Sequence, residues 1–309
     1  MTAFPGKRMV DRLLAQQQFF PMFPPEDVML EKLADFRDTL ADYLCKSQVF
    51  EVTNVSDFFY SGSDKNERGI YEDFPSLAAP YPITWMEFAA PKTINEGGKI
   101  ITPISNIKRF GALIITDELP EELKGATEAS SQQVVQVFVE YTNGDIVGPG
   151  MTYVWGLDKE GKGVRISEKS DIIYTSPILK RMSKDRFEIE KHLLVMAYPA
   201  LLAMTFLNCR NTVVSDQTPD GKLSHIHRKE HGRPLVRFKT LQIEQVRKVL
   251  SSAQGGDGSI KRSLHLCRGH FKSFGEKGLF GKHKGLFWWG HSIRGTASRG
   301  IVEKDYQVK

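Results

Sequence analysis

Cysteine is scarce in this 309-residue chain. Cys45, Cys209 and Cys267 are odd in number and far apart. That excludes a disulfide framework and fits a reducing compartment, the cytoplasm. Long apolar runs are missing too. The longest, residues 193–207, is shorter than a membrane span and contains Pro199, so a membrane partner is not expected. Residues 1–18 are polar and basic, without the charged-then-apolar order of a secretory leader. There is no phosphate-binding loop, dinucleotide fingerprint, paired-cysteine zinc pattern or internal repeat. No cofactor is therefore expected.

What is present is enough apolar residue, 40% of the chain, to bury a sizeable core. The formal net charge of +5 conceals a division. Residues 221–309 carry 19 Lys/Arg against 6 Asp/Glu, whereas residues 1–220 carry 23 against 31. Seven of the eight histidines also fall after residue 220. A basic region beside an acidic one points to a polyanion partner for the basic part. The alternative is that the two regions neutralise each other.

Periodicity predicts an α+β fold with a mainly antiparallel sheet packed against a long apolar helix, followed by a basic, β-rich C-terminal segment. Pro24 and Pro25 precede a helix in which Leu33, Phe36, Leu40 and Leu44 share a face. Residues 61–69 read as an exposed loop. Short strands are expected over 83–88, 110–116, 134–141 and 151–155, with turns at Asn143-Gly144-Asp145 and over 159–163. Ser183 is placed to cap the apolar helix, which runs to about Asn208 through Pro199. Residues 213–232 read as a polar loop, 234–243 as a strand and 251–259 as a flexible linker. Three regions result: an N-terminal helical segment (1–48), an α+β core (49–220) and the basic, histidine-rich region (221–309).

The densest chemistry lies between Arg262 and Gly295. Arg262, Lys272, Lys282, Lys284 and Arg294 alternate there with Phe271, Phe274, Phe280, Phe287, Trp288 and Trp289. Cations that track phosphates beside rings that stack on bases suit single-stranded nucleic acid. Strand alternation puts Phe287 and Trp289 on one face and Trp288 on the other, so only one of the two tryptophans is expected to face a ligand. His265, Arg268 and His270 form a compact set. Two imidazoles can serve as general base and acid, and an arginine can stabilise charge developing on phosphate. RNA cleavage through its own 2′-hydroxyl needs no more and no metal. The same histidines could instead hydrogen-bond to loop carbonyls. A metal site on His265, Cys267 and His270 lacks a fourth ligand, and His227 and His231 would share a face only in a helix. No metal is assigned.

The run His-x-Cys-Arg-Gly-His-Phe (from His265), then Leu-Phe-Gly-Lys (from Leu279), Phe-Trp-Trp (from Phe287) and His-x-x-Arg-Gly (from His291) is similar to a C-terminal signature of uncharacterised phage and bacterial proteins. More loosely, it resembles the C-terminal end of a type V-A anti-CRISPR protein that lowers the messenger RNA of its target effector nuclease. The match covers about thirty residues, and Phe280-Gly281-Lys282 departs from the anti-CRISPR pattern. The resemblance implies a phage or mobile-element protein directed at messenger RNA. Its partners would be single-stranded RNA and a ribosome-associated or nuclease protein. Whether the protein also cleaves RNA is left open. The competing expectation is a non-catalytic inhibitor that binds a host or phage protein.

Overall fold

A computed structural model describes residues 7–16, 19–21, 30–61, 74–90, 94–96, 99–101, 106–121, 124, 127–164, 172–174, 186–243, 263–267, 270–279, 282–289, 292–294 and 296–301. For several of these, including 186–196, 263–267 and 292–301, it describes the backbone alone. The expected loop over 61–69 lies outside the described residues beyond Ser61, and the cap at Ser183 and the linker over 251–259 lie wholly outside them. The chain divides into two compact units. One comprises residues 1–207 and 214–241; the other comprises 208–213 and 242–309. Residues 221–241 therefore belong with the first unit rather than with the basic C-terminal region.

The first unit is mixed α and β. Its helices are α1 (Met9–Leu14), α2 (Leu30–Lys46), α3 (Thr53–Ser61), α4 (Arg186–Leu207) and α5 (Gly221–His231). Its strands are β1 (Phe19–Pro21), β2 (Gln48–Glu51), β3 (Ile83–Ala89), β4 (Ile94–Glu96), β5 (Lys99–Ile101), β6 (Ile107–Glu118), β7 (Ser131–Tyr141), β8 (Ile146–Leu157), β9 (Gly163–Val164), β10 (Ile172–Tyr174), β11 (Thr212–Gln217) and β12 (Phe238–Ile243). The large sheet runs β1-β8-β7-β6-β3-β2-β12-β11, with β9 and β10 also on β8. Its centre, from β3 to β8, is antiparallel. Parallel pairs flank it, β1 with β8 on one side and β3-β2-β12 on the other. The sheet is thus mixed, because β2 returns to β3 through α3 and a crossover, not a hairpin.

Local chemistry explains the turns. At the β7–β8 hairpin Gly144 has φ 93°, and the Asn143 side-chain oxygen accepts the Asp145 amide at 3.0 Å. After β8, the Asp158 carboxylate accepts the amides of Glu160 and Lys162. On α2, Leu40 and Leu44 are buried and Phe36 stacks on Phe19. The described part of α4 is buried from Ala200 to Phe206, and Thr205 donates to the Ser76 carbonyl at 2.8 Å.

The expected loop over 213–232 is instead a strand and a helix, β11 and α5. Its residues are so polar that no apolar stripe marks the helix, and only His227 is buried. The ends hold it. Asp220 accepts the Leu223 amide at 2.9 Å, and Gly232 closes the helix at φ 73°.

Five successive residues of β3, Thr84 to Phe88, are buried, so both faces are covered. Glu87 sits among them. It accepts the Met9 and Val10 amides at 3.2 and 2.7 Å, the Trp85 indole N–H at 2.8 Å and Arg109 at 3.2 Å. Arg109 continues to Glu140 at 2.9 Å, which also meets Arg12 at 2.7 Å and Lys108 at 3.0 Å. The carboxylate of Glu87 thus caps the amide end of α1, and the network ties α1 to the sheet. Gly111 allows the close approach: a Cβ there would lie 2.5 Å from the Trp85 ring.

Candidate nucleic-acid interface

The second unit is built from β13 (Ser263–Cys267), β14 (His270–Leu279), β15 (His283–Trp289), β16 (Ser292–Arg294) and β17 (Thr296–Ile301), together with residues 208–213. β13 lies between β16 and β17, and β14 pairs antiparallel with β15.

The hairpin separates its aromatics by face. Phe271 is opposite Trp288, and Ser273 opposite Leu286. Directly opposed residues share a face, so these four form one side. This side is covered at Trp288, which is only 7% exposed, its ring 4.7 Å from Phe271, and is open at Ser273. Asn211 holds it from the neighbouring segment, donating to the Trp288 carbonyl at 2.9 Å and accepting the Trp288 amide at 3.0 Å. Trp288 is therefore a packing residue, so of the two candidate tryptophans it is not the one available to a base. Its burial follows from the paired Phe271 and the Asn211 clamp.

The other side carries Lys272 and Phe274 on β14 with Phe287 on β15. The Phe274 and Phe287 rings meet edge-on at 5.8 Å, and the Lys272 ammonium lies 5.3 Å from the Phe274 centroid. β15 turns at Gly285, where φ is 103°. Residues four apart in a straight strand are about 13 Å apart, yet His283 comes within 6.2 Å of Phe287. Gly285 also admits Arg210. A Cβ there would lie 3.2 Å from the Arg210 Nε, a tight approach, and the positive φ favours glycine at this position, the register partner of Phe274. The Arg210 amide donates to the Leu286 carbonyl at 2.8 Å, which fixes the segment.

Two half-buried rings and an imidazole, flanked by an exposed lysine and an exposed arginine, make a stacking surface with cations at its margin. Arg210 was not apparent in the sequence, because it lies 75 residues before its neighbour Gly285. Strand alternation sets Phe287 on the face opposite Trp288, whereas Phe274 stands only as one member of the aromatic and basic run and His283 is not singled out.

The remaining expected residues fall as follows. Lys282 is exposed at the hairpin tip. Lys284 is also exposed, but it pairs with Glu276 at 3.1 Å. For Trp289, Arg294, His265 and His270 the backbone alone is described, with His270 opposite Trp289 and His265 opposite Arg294. Arg262 and Arg268 lie outside the described residues. The structure thus brings Lys272, Lys282 and Lys284 onto one hairpin, while the convergence of His265, Arg268 and His270 falls outside what is described. Burial pushes the Cys209 thiol up to about 12, which makes it a poor nucleophile.

No protein-family model, curated protein or solved structure matches this chain.

Two sites in the first unit compete for attention. A depression lined by Arg8, Glu51, Glu87, Phe88 and Arg109 encloses about 170 Å³ including its open mouth. Small-molecule sites start near ~300 Å³, and Glu87 and Arg109 belong to the network that holds α1, while Glu51 accepts the Thr53 amide. His227 and His231 do share a helical face, with rings 4.7 Å apart. The His227 Nδ1 lies 2.9 Å from the Arg233 carbonyl, but the Lys7 ammonium is 3.3 Å from the His231 Nε2. Among the described residues no three metal-binding side chains converge. No helix among the described residues is long and apolar enough to cross a membrane.

Proposed function

We propose that this chain is an RNA-directed protein of phage or mobile-element origin, anti-CRISPR-like in action, that binds single-stranded messenger RNA through the β14–β15 hairpin. The observation that carries this reading is the hairpin face on which Phe274, Phe287 and His283 are flanked by Lys272 and Arg210. The rings stack on bases, and the two cations take the phosphates on either side. The face offers few fixed hydrogen-bond groups, so affinity comes from stacking and charge with little sequence preference.

Fluorescence anisotropy with a labelled 20-nucleotide single-stranded RNA tests it. F274L/F287L keeps apolar volume and removes both π-faces. It should weaken binding roughly 5- to 150-fold, the loss of about 1–3 kcal/mol of stacking, with an unchanged melting temperature. Affinity of the unaltered protein should fall by tenfold or more between 50 and about 200 mM salt. Binding that ignores salt, or equal binding by F274L/F287L, sinks the reading.

Cleavage is a second reading. The register that sets His265 opposite Arg294 supports it by placing an imidazole-bearing and a guanidinium-bearing residue at paired positions. In that reaction the 2′-oxygen attacks its own phosphate and the 5′-oxygen leaves with a proton. The products are a 2′,3′-cyclic phosphate and a 5′-hydroxyl. H265A or H270A should abolish such products while leaving binding intact.

A further inference from the structure

The first unit carries its own basic surface, and it lies on α5. The inward side of this helix is polar but engaged. His227 is fully buried against the Arg233 carbonyl, and the Ser224 hydroxyl accepts the Leu235 amide at 3.2 Å. His231 is partly covered beside His227. The outward side is different. Lys222, His225 and Lys229 recur at three and four residues, so they form one line along the helix, and Arg228 lies three residues beyond His225. All four are exposed. None forms an ion pair among the described residues: Asp220, beside Lys222, accepts the Leu223 amide at 2.9 Å, and Glu230, beside Lys229, is taken by Lys7 at 3.0 Å.

Helix stability does not explain this line. Arg228 and Lys229 in the last turn complement the helix dipole, but Lys222 stands in the first turn, which holds no acid. A cation there opposes the dipole by about 0.3–1 kcal/mol. The setting adds to the contrast, since residues 1–220 carry 23 Lys/Arg against 31 Asp/Glu. With about 1.5 Å of rise per residue, Lys222 and Lys229 stand about 10 Å apart along the axis. That suits a polymer with a regular series of negative charges.

We infer that the outward line of α5, Lys222, His225, Arg228 and Lys229, is a second RNA contact that grips the phosphodiester backbone. No Phe, Tyr or Trp stands on this helix, so it reads charge and spacing more than bases. The inference rests on the RNA-binding reading and deepens it: the hairpin stacks, and α5 adds phosphate contacts that carry no sequence information.

The experiment compares the unaltered full chain, K222E/K229E and the neutral K222Q/K229Q, using a labelled 40-nucleotide single-stranded RNA across a salt series. Both positions are exposed, so melting temperatures should stay within a degree or two. Loss of two phosphate contacts should lower the slope of log affinity against log salt by about 1.4 for a single strand. Affinity at 50 mM salt should drop roughly tenfold in K222Q/K229Q and further in K222E/K229E. Unchanged affinity and slope in both variants, with RNA bound by the unaltered chain, would overturn the α5 contact and leave the hairpin reading standing. Failure of the unaltered chain to bind RNA at all overturns both. Vesicles containing phosphatidylserine serve as a competing probe. Vesicle binding that K222E/K229E abolishes, with RNA binding unchanged, assigns the surface to lipid and refutes the inference.

Discussion

Asp11 shows what a single buried acid costs. It is 1% exposed, and burial raises its pKa from 3.8 to about 6, although it accepts the amides of Val236 and Arg8. The folded state therefore holds a proton between pH 4 and 6 that the unfolded chain has released. Below pH 4 both forms are protonated; above pH 6 both are ionised, and the native form bears the desolvation in full. The Asp11 contribution to stability thus falls as pH rises from 4 to 6, by up to roughly 3 kcal/mol. In D11N this dependence should vanish. Urea denaturation at pH 4.5 and 7.5 checks it: the stability of the unaltered protein relative to D11N should be greater at the lower pH. An unchanged difference would show that Asp11 is ionised throughout. Arg8 experiences the opposite push, with burial lowering its pKa against the pull of Glu87, and its guanidinium stacks 3.2 Å from the Phe238 ring centre.

The elements differ in how plainly the sequence announces them. The central strands were legible because apolar residues such as Phe110, Leu113, Val135, Val137 and Tyr153 cluster in runs that end at turns, among them those at Gly144 and Gly161. Their ends ran longer than expected, since polar residues such as Gln132 and Asp117 pair in the ladder as well as apolar ones. α5 was illegible because its stability comes from caps and a buried histidine rather than from leucines. The parallel strand β12 was foreseen as a strand but not as a neighbour of β2, because pairing of Lys239 with Phe50, 189 residues apart, leaves no local mark. In the hairpin, the basic and aromatic content was legible, whereas which ring faces outward depended on Asn211 and Arg210, far away in sequence. The pairing of Lys284 with Glu276 was equally invisible. An exposed pair of this kind is weak, yet it competes with phosphate. E276Q should therefore raise RNA affinity about two- to threefold at low salt, measured by anisotropy. A decrease would show that Glu276 orders the hairpin instead.

At the scale of the whole molecule, two compact units share one chain that passes between them more than once. Residues 208–213 leave the first unit, brace β15, and the chain then returns to build β12 of the large sheet. The double hydrogen bond from Asn211 to the Trp288 backbone ties residues 208–213 to β15 inside the second unit. N211A removes both of these hydrogen bonds, at about 0.5–1.5 kcal/mol each. Amide exchange followed by mass spectrometry should show faster exchange over 208–213 and 270–289, and no change over 107–157. Equal acceleration in both stretches would mean that the units do not unfold separately.

The anchoring of α1 sets a schedule for synthesis. Met9 and Val10 wait for Glu87, Arg12 for Glu140, and Asp11 for the amide of Val236, 225 residues later. A ribosome adding about 5–20 residues per second takes on the order of 10–50 seconds to cover that distance. Until then α1 has no finished seat, and Met9, Val10, Leu13 and Leu14 stay within reach of chaperones. The first stretch of helix to emerge is among the last to be locked in place.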